Sequence, residues 1–185
     1  MGDVTTRTTS DSAVIAHEAP RQCLTFDLGG EMYAVAISNV KEIIEYGTLT
    51  DIPMMPPFIR GVINLRGRVV PVVDLLARFG GCPADVGRRS CIIILELHEK
   101  DAHQDIGVMV DAVNEVLEIP ASDIEPPPAF GARIRADFIE GMARVAGKFI
   151  VLLNIGHVLS VDEMGALADI QSEAANLAAK HPTQE

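Results

Sequence analysis

The sequence predicts a mainly β protein built as small barrels or as a sandwich, and three observations carry that reading. Roughly nine or ten short runs rich in valine, isoleucine and leucine follow one another, with turn signals about 8 to 12 residues apart. Glycine-bearing dipeptides, Gly29-Gly30, Arg66-Gly67 and Ala146-Gly147, fall between pairs of these runs, where a tight hairpin turn needs positive φ. Aromatic residues make up only 4% of the 185 residues and tryptophan is absent, so branched aliphatics must fill the core. No strong internal repeat is visible.

Residues 1–20, rich in Thr, Ser, Asp and Ala without periodicity, are expected to be a flexible tail. Leu24, Phe26 and Leu28 alternate with Cys23, Thr25 and Asp27, and Gly29-Gly30 leads into a second run from Met32 to Ile37, which predicts a hairpin. Ser38 is placed to cap a short helix whose Val40, Ile43 and Ile44 share one face, leaving Lys41, Glu42 and Glu45 on the other. The segment DIPMMPPFIRG reads as a loop ending in one helical turn begun at Pro56-Pro57.

The chain is organised around Arg60 to Phe79, RGVINLRGRVVPVVDLLARF. Val62, Ile63 and Leu65 lead into Arg66-Gly67-Arg68, and Val69, Val70, Pro71, Val72 and Val73 follow, giving two strands that meet at a tight turn. Pro71 has no ladder donor, so the second strand should lie at an edge or carry a bulge. Asp74 can cap a helix beginning at Leu75 and Leu76, with Gly80 and Gly81 beyond its end.

Further on, Cys91–Leu97 is an apolar strand buried on both faces, followed by the polar turn HEKDAHQD. Ile106 to Ile119 reads as strand, bend, strand because β-branched residues dominate, with a helix over 111–118 as the open alternative. ASDIEPPPAFG is a loop of polyproline character, and Phe138–Val145 with Lys148–Leu153 forms another hairpin. Ser160 and Glu163 make a capping box for a final alanine-rich helix.

Charge and composition exclude several function classes. A 48% hydrophobic content excludes wholesale disorder, and a formal charge of −11 argues against a nucleic-acid or anionic-membrane partner, both of which need a cationic footprint. Locally the balance differs. Residues 59–89 hold six arginines (Arg60, Arg66, Arg68, Arg78, Arg88, Arg89) against two acids, whereas residues 90–140 hold eleven acids against three basic side chains. Opposed charged faces suited to docking proteins are therefore expected. Cys23, Cys82 and Cys91 show no CxxC spacing and are read as buried free thiols of a reducing cytoplasm. The N-terminus has no signal-peptide core, and no apolar run approaches the roughly 20 residues of a membrane helix, so a cytoplasmic location is expected.

No catalytic constellation emerges. The five histidines, His17, His98, His103, His157 and His181, are scattered without metal-ligand or nucleophile–base spacing. GxSxG, GxxxxGK[ST] and GxGxxG motifs are absent, and the pairs Glu42/Glu45 and Glu115/Glu118 read as exposed acids. The expectation is a protein that is not an enzyme and carries no cofactor or metal, with interaction as its business. A small barrel that binds a ligand or an oligonucleotide is the alternative from another class.

The segment PPFIRGVINLRGRVVPVVDL resembles the CheW family of chemotaxis coupling proteins. EMYAVAISNVKEI is similar to that family's first hairpin and the short element after it, IGVMVDAVNEVLEI to its later strand pair, and FIEGMARVAGKFIVLLNI to its C-terminal hairpin. Together they span residues 21–165, between a tail at 1–20 and a C-terminal helix and tail at 166–185. The resemblance implies two intertwined five-stranded SH3-like barrels with a hydrophobic seam, short helices and a non-enzymatic adaptor role. Its implied partners are the cytoplasmic tips of chemoreceptors, the regulatory domain of the CheA histidine kinase, and further copies in array rings, which would recruit a cytoplasmic protein to the membrane without inserting it. The same adaptor role in another chemosensory pathway, such as twitching motility, is the near alternative.

Carried over residue by residue, the receptor-binding groove falls on Val40, Glu42 and Arg66, with Asn64, Gly67 and Gly61 holding the backbone in place. The kinase-contacting surface is assigned to Gly107 and its apolar neighbours, while Arg60 and Arg68 are read as solvent arginines without a role. No receiver or kinase motif is read beside the module, so a free-standing adaptor is the expectation.

Overall fold

Each of the glycine turns anticipated above closes a hairpin. The computed structural model describes residues 19–53, 55–99, 102–128 and 134–158. Strands β1 (Arg21–Leu28) and β2 (Glu31–Ala36) pair antiparallel across Gly29-Gly30, and β3 (Val40–Glu45) follows a 3-10 turn at Ile37–Asn39. Strands β4 (Ile59–Leu65) and β5 (Arg68–Asp74) flank Arg66-Gly67, and α1 (Leu75–Arg78) starts directly after. Strands β6 (Cys91–Glu99) and β7 (Ala102–Val110) form a long hairpin, and β8 (Ala112–Ile119) continues past a bend at Asp111. After β9 (Ile124–Glu125) come β10 (Ile139–Val145), β11 (Lys148–Leu153) and α2 (Ile155–Val158).

The strands gather into two sheets in a way that interlaces the chain. One has the order β8-β1-β2-β11-β10-β9 and draws on both ends of the module; the other, β3-β6-β7-β5-β4, comes wholly from its middle. The architecture is the mainly β pair of SH3-like subdomains expected, with one difference. The first sheet has six strands rather than five, the sixth being the two-residue β9, which sits in the segment read as a polyproline loop.

Three readings are decided at the level of single elements. Val40–Glu45 is a strand, not a helix: it pairs antiparallel with β6 across a bulge between Val40 and Glu42, so Val40 and Ile43 share the face of Leu95 and Ile93 while Glu42 and Ile44 share that of Ile94 and Ile92. Apolar residues at i, i+3 and i+4 fit a helix, but a β-branched run beside an available ladder settles as strand. β5 is an inner strand although it contains Pro71. Val62, which faces Pro71, turns its N–H and C=O away to Thr50 at 2.9 Å each, so the donorless Pro71 nitrogen points away from β4, and the parallel ladder to β7 begins only at Val72. The alternative helix over 111–118 is excluded by the β8–β1 register from Ala112 to Ile119. The 1–18 part of the expected tail and the capping-box helix lie outside the described residues.

Each sheet encloses its own small core, Cys23, Ala34, Ile119, Ala143, Ile150 and Leu152 in the first and Val70, Val72, Ala84, Ile92, Ile94 and Met109 in the second. The largest cluster is the seam between them, where Phe26, Leu28 and Val35 meet Ile93, Leu95, Val108 and Val110. Burying each such side chain contributes roughly 1.5–3 kcal/mol, so most of the stability resides where the two sheets meet. An aromatic chain crosses the seam: Phe26 to Tyr33, Tyr33 to Phe79 and Phe79 to Phe138, with ring centroids 6.1, 5.9 and 6.1 Å apart. Among the described residues no helix is long and apolar enough to cross a membrane.

Candidate site on the turn between β4 and β5

The turn is built to hold one arginine out in water. Arg66 and Gly67 have φ of 52° and 84°, the two positive values that a tight primed hairpin turn demands. A non-glycine residue there costs about 1–2 kcal/mol, and the turn recovers part of it by accepting the Gly67 N–H on Asn64 Oδ1 at 2.8 Å. The Arg66 guanidinium then reaches Glu42 Oε2 on β3 at 3.0 Å. Strands β3 and β4 are the two outer strands of the five-stranded sheet, so this ion pair bridges its open edges. The arginine side chain is 80% exposed and the glutamate 21%. Pairs of this exposure contribute about 0–1 kcal/mol to stability, which leaves both groups free to exchange one another for a partner's charges.

Behind the pair runs a charged stripe that sequence reading missed. Glu96 on β6 and Asp105 on β7 stand directly opposite across the ladder, a repulsive arrangement by itself. Lys41 on β3 resolves it, its Nζ lying 3.0 Å from Asp105 Oδ2 and 3.7 Å from Glu96 Oε1. From the other side Arg68 on β5 contacts Asp105 Oδ2 at 2.8 Å. Asp105, 4% exposed, is thus compensated by two cations from strands on either side of it. Strand order alone assembles the stripe, and nothing in the local sequence signals it.

The expected opposed charged faces do not form as read. Arg68 and Arg66 of the basic segment are spent on Asp105 and Glu42 of other strands, and Arg60 is not a solvent arginine. Its Nε lies 3.4 Å from the fully buried Asp74 Oδ2 and its other nitrogen donates to the Ala84 carbonyl. Asp74 also accepts from Ala77 N at 3.2 Å, capping α1 as expected, and from Ala84 N at 2.8 Å.

Of the remaining site residues, Val40 begins β3 and packs partly buried against the seam. Gly61 has φ of 141°, and a Cβ there would meet Thr50 O at 2.5 Å, so it admits the chain that pairs with Val62. Gly107 is buried in β7, where a Cβ would meet Ile92 at 2.8 Å and Val72 at 3.2 Å; its place is in the core of the second sheet, not on a surface. The structure therefore brings Glu42, Arg66 and Asn64 together, and leaves Gly61 and Gly107 as packing positions. Cys82 is exposed, against the expectation that all three thiols are buried, while burial of Cys23 raises its thiol pKa, with Glu140 adding to the effect and Arg21 opposing it.

Comparison with known proteins agrees with this architecture. A family model described as a CheW-like domain matches residues 22–163. The chain is 34% identical over 149 residues to the chemotaxis protein CheW of Klebsiella aerogenes, covering 80% of this chain and 87% of that one. It is 34% identical over 161 residues to protein FrzA of Myxococcus xanthus, covering 85% and 98% respectively. The crystal structure of the scaffolding protein TtCheW from Thermoanaerobacter tengcongensis superposes with a TM-score of 0.70 at 37% identity, over 80% of this chain and 94% of that one. The chain belongs to the CheW-like family. With that membership it is a scaffold protein of chemosensory signalling.

Proposed function

We propose that this protein couples the cytoplasmic tips of chemoreceptors to the regulatory domain of a CheA histidine kinase, and that receptor binding recruits it to membrane-associated arrays. The observation that carries the receptor contact is the Arg66–Glu42 pair. An exposed arginine held by a constrained turn and a glutamate on an outer strand together offer one donor fork and one carboxylate to a receptor helix. Such a role asks for no bond to be made or broken.

The kinase contact is proposed for another part of the second sheet. Gly107 belongs to that proposal only as packing, since it places β7 tightly between β5 and β6. A second reading, the same adaptor in a different chemosensory pathway, is favoured by the equal identity to FrzA and to the Klebsiella CheW. The test is binding of purified receptor tips and of purified CheA regulatory domain from the source organism, with the receptor and kinase sets of each pathway run in parallel. Binding to one set assigns the pathway; binding to neither removes the adaptor reading.

A further inference from the structure

The β6–β7 hairpin creates a cluster that the sequence hides. His98 and His103, scattered by sequence spacing, are direct partners in the ladder, and Glu96 lies two residues before His98 on the same face of β6. The imidazole centroids are 4.7 Å apart in an edge-to-face arrangement, and His98 Nε2 is 3.5 Å from Glu96 Oε2. One donor atom from each of the three side chains falls within 4.8 Å of the others.

We propose that Glu96, His98 and His103 bind a borderline divalent transition ion, with Zn2+ as the natural occupant. Two imidazoles and one carboxylate suit zinc, copper or nickel rather than the hard ions magnesium and calcium. Bond lengths of about 2.0–2.2 Å place neighbouring donors of a tetrahedral ion roughly 3.3 Å apart. The His98–Glu96 separation already lies near that value, and both histidine side chains are exposed and free to turn, so rotamer changes can draw His103 in to close the other two sides.

The surroundings prepare the carboxylate. Lys41 approaches Glu96 at Oε1 and His98 at Oε2, so one oxygen is anchored while the other faces the cluster. Supporting contacts of this kind orient a metal-binding carboxylate. The positive charge of Lys41 opposes a cation, but the Asp105 carboxylate offsets it, with Lys41 Nζ held 3.0 Å from Asp105 Oδ2. Three protein ligands leave a fourth position for water or for an imidazole or carboxylate of a partner. The ion would join β6 to β7 near the end of the hairpin and stiffen the strands that carry Glu96 and Asp105.

The test titrates Zn2+ into the full chain at pH 7.5 against a chromophoric chelator, with Co2+ absorption reporting geometry. One equivalent should bind, and His98→Ala and His103→Ala should each weaken it by more than the roughly 10–100-fold that supporting residues contribute. Glu96→Ala, which removes the third donor, should also weaken it by more than that range, and His157→Ala, which alters an exposed histidine elsewhere, should leave it unchanged. Because the altered side chains are exposed or half-buried, the variants' thermal midpoints without metal should match the wild type. Absence of one-to-one binding, or binding that survives either histidine change in a folded variant, would overturn the site.

Discussion

Arg60 and Arg66 stand six residues apart at the two ends of β4, and they do opposite work. Arg60 turns inward onto Asp74, a carboxylate with no solvent exposure that also caps α1 and anchors the loop at Ala84. Arg66 turns outward on a strained turn and meets Glu42 at the protein's edge. Both are arginine–carboxylate pairs, yet burial assigns the first to the fold and exposure assigns the second to partners. Breaking a buried pair leaves an uncompensated charge at a cost of several kcal/mol, whereas breaking an exposed one costs under about 1 kcal/mol.

The contrast is sharpened first at its extreme. Val110→Asp places an unpaired charge among fully buried residues of the seam, and the protein should fail to fold or lose most of its thermal transition by calorimetry. Arg60→Met should destabilise by about 3 kcal/mol in denaturant titration, because Asp74 is left without its cation. Adding Asp74→Leu should restore part of that loss and no more, since the Ala77 and Ala84 N–H groups then lose their acceptor.

Gly61→Ala should cost roughly 1–3 kcal/mol, as its Cβ would strike a backbone oxygen in a conformation that L residues rarely adopt. Smallest should be Glu42→Ala, within about 0.5 kcal/mol of wild type. A loss of several kcal/mol there would mean that the exposed pair belongs to the fold after all. The same division should show in thiol labelling of the native protein: exposed Cys82 reacts first, and buried Cys23, its pKa raised chiefly by burial, reacts only on unfolding.

What could be read from the sequence was local. The hairpins at Gly29-Gly30, Arg66-Gly67 and Ala146-Gly147 and the Asp74 cap depend on residues within a turn of one another, and all four form. Val40–Glu45 reads as a helix because its apolar residues fall at i, i+3 and i+4, and the partner strand that makes it a strand begins 46 residues further on, at Cys91. Roles set by strand order were invisible. Arg60 looks like any strand arginine until β5 and the loop at Ala84 close over it, and Lys41, Glu96, Asp105 and Arg68 meet only because four strands lie side by side. His98 and His103 were legible in principle, being the arms of one hairpin, but only once the register is known. Glu42 and Arg66 were found through family resemblance, since spacing alone gives no reason to join them.

The measurement that bears most directly on the central claim is binding of receptor tip and CheA regulatory domain to Arg66→Ala beside wild type, with thermal midpoints taken on the same samples. Selective loss of the receptor, with the kinase retained and the midpoint unmoved, is the predicted result. Receptor binding that persists in a folded Arg66→Ala protein would contradict the site, and an unfolded variant would contradict its surface role.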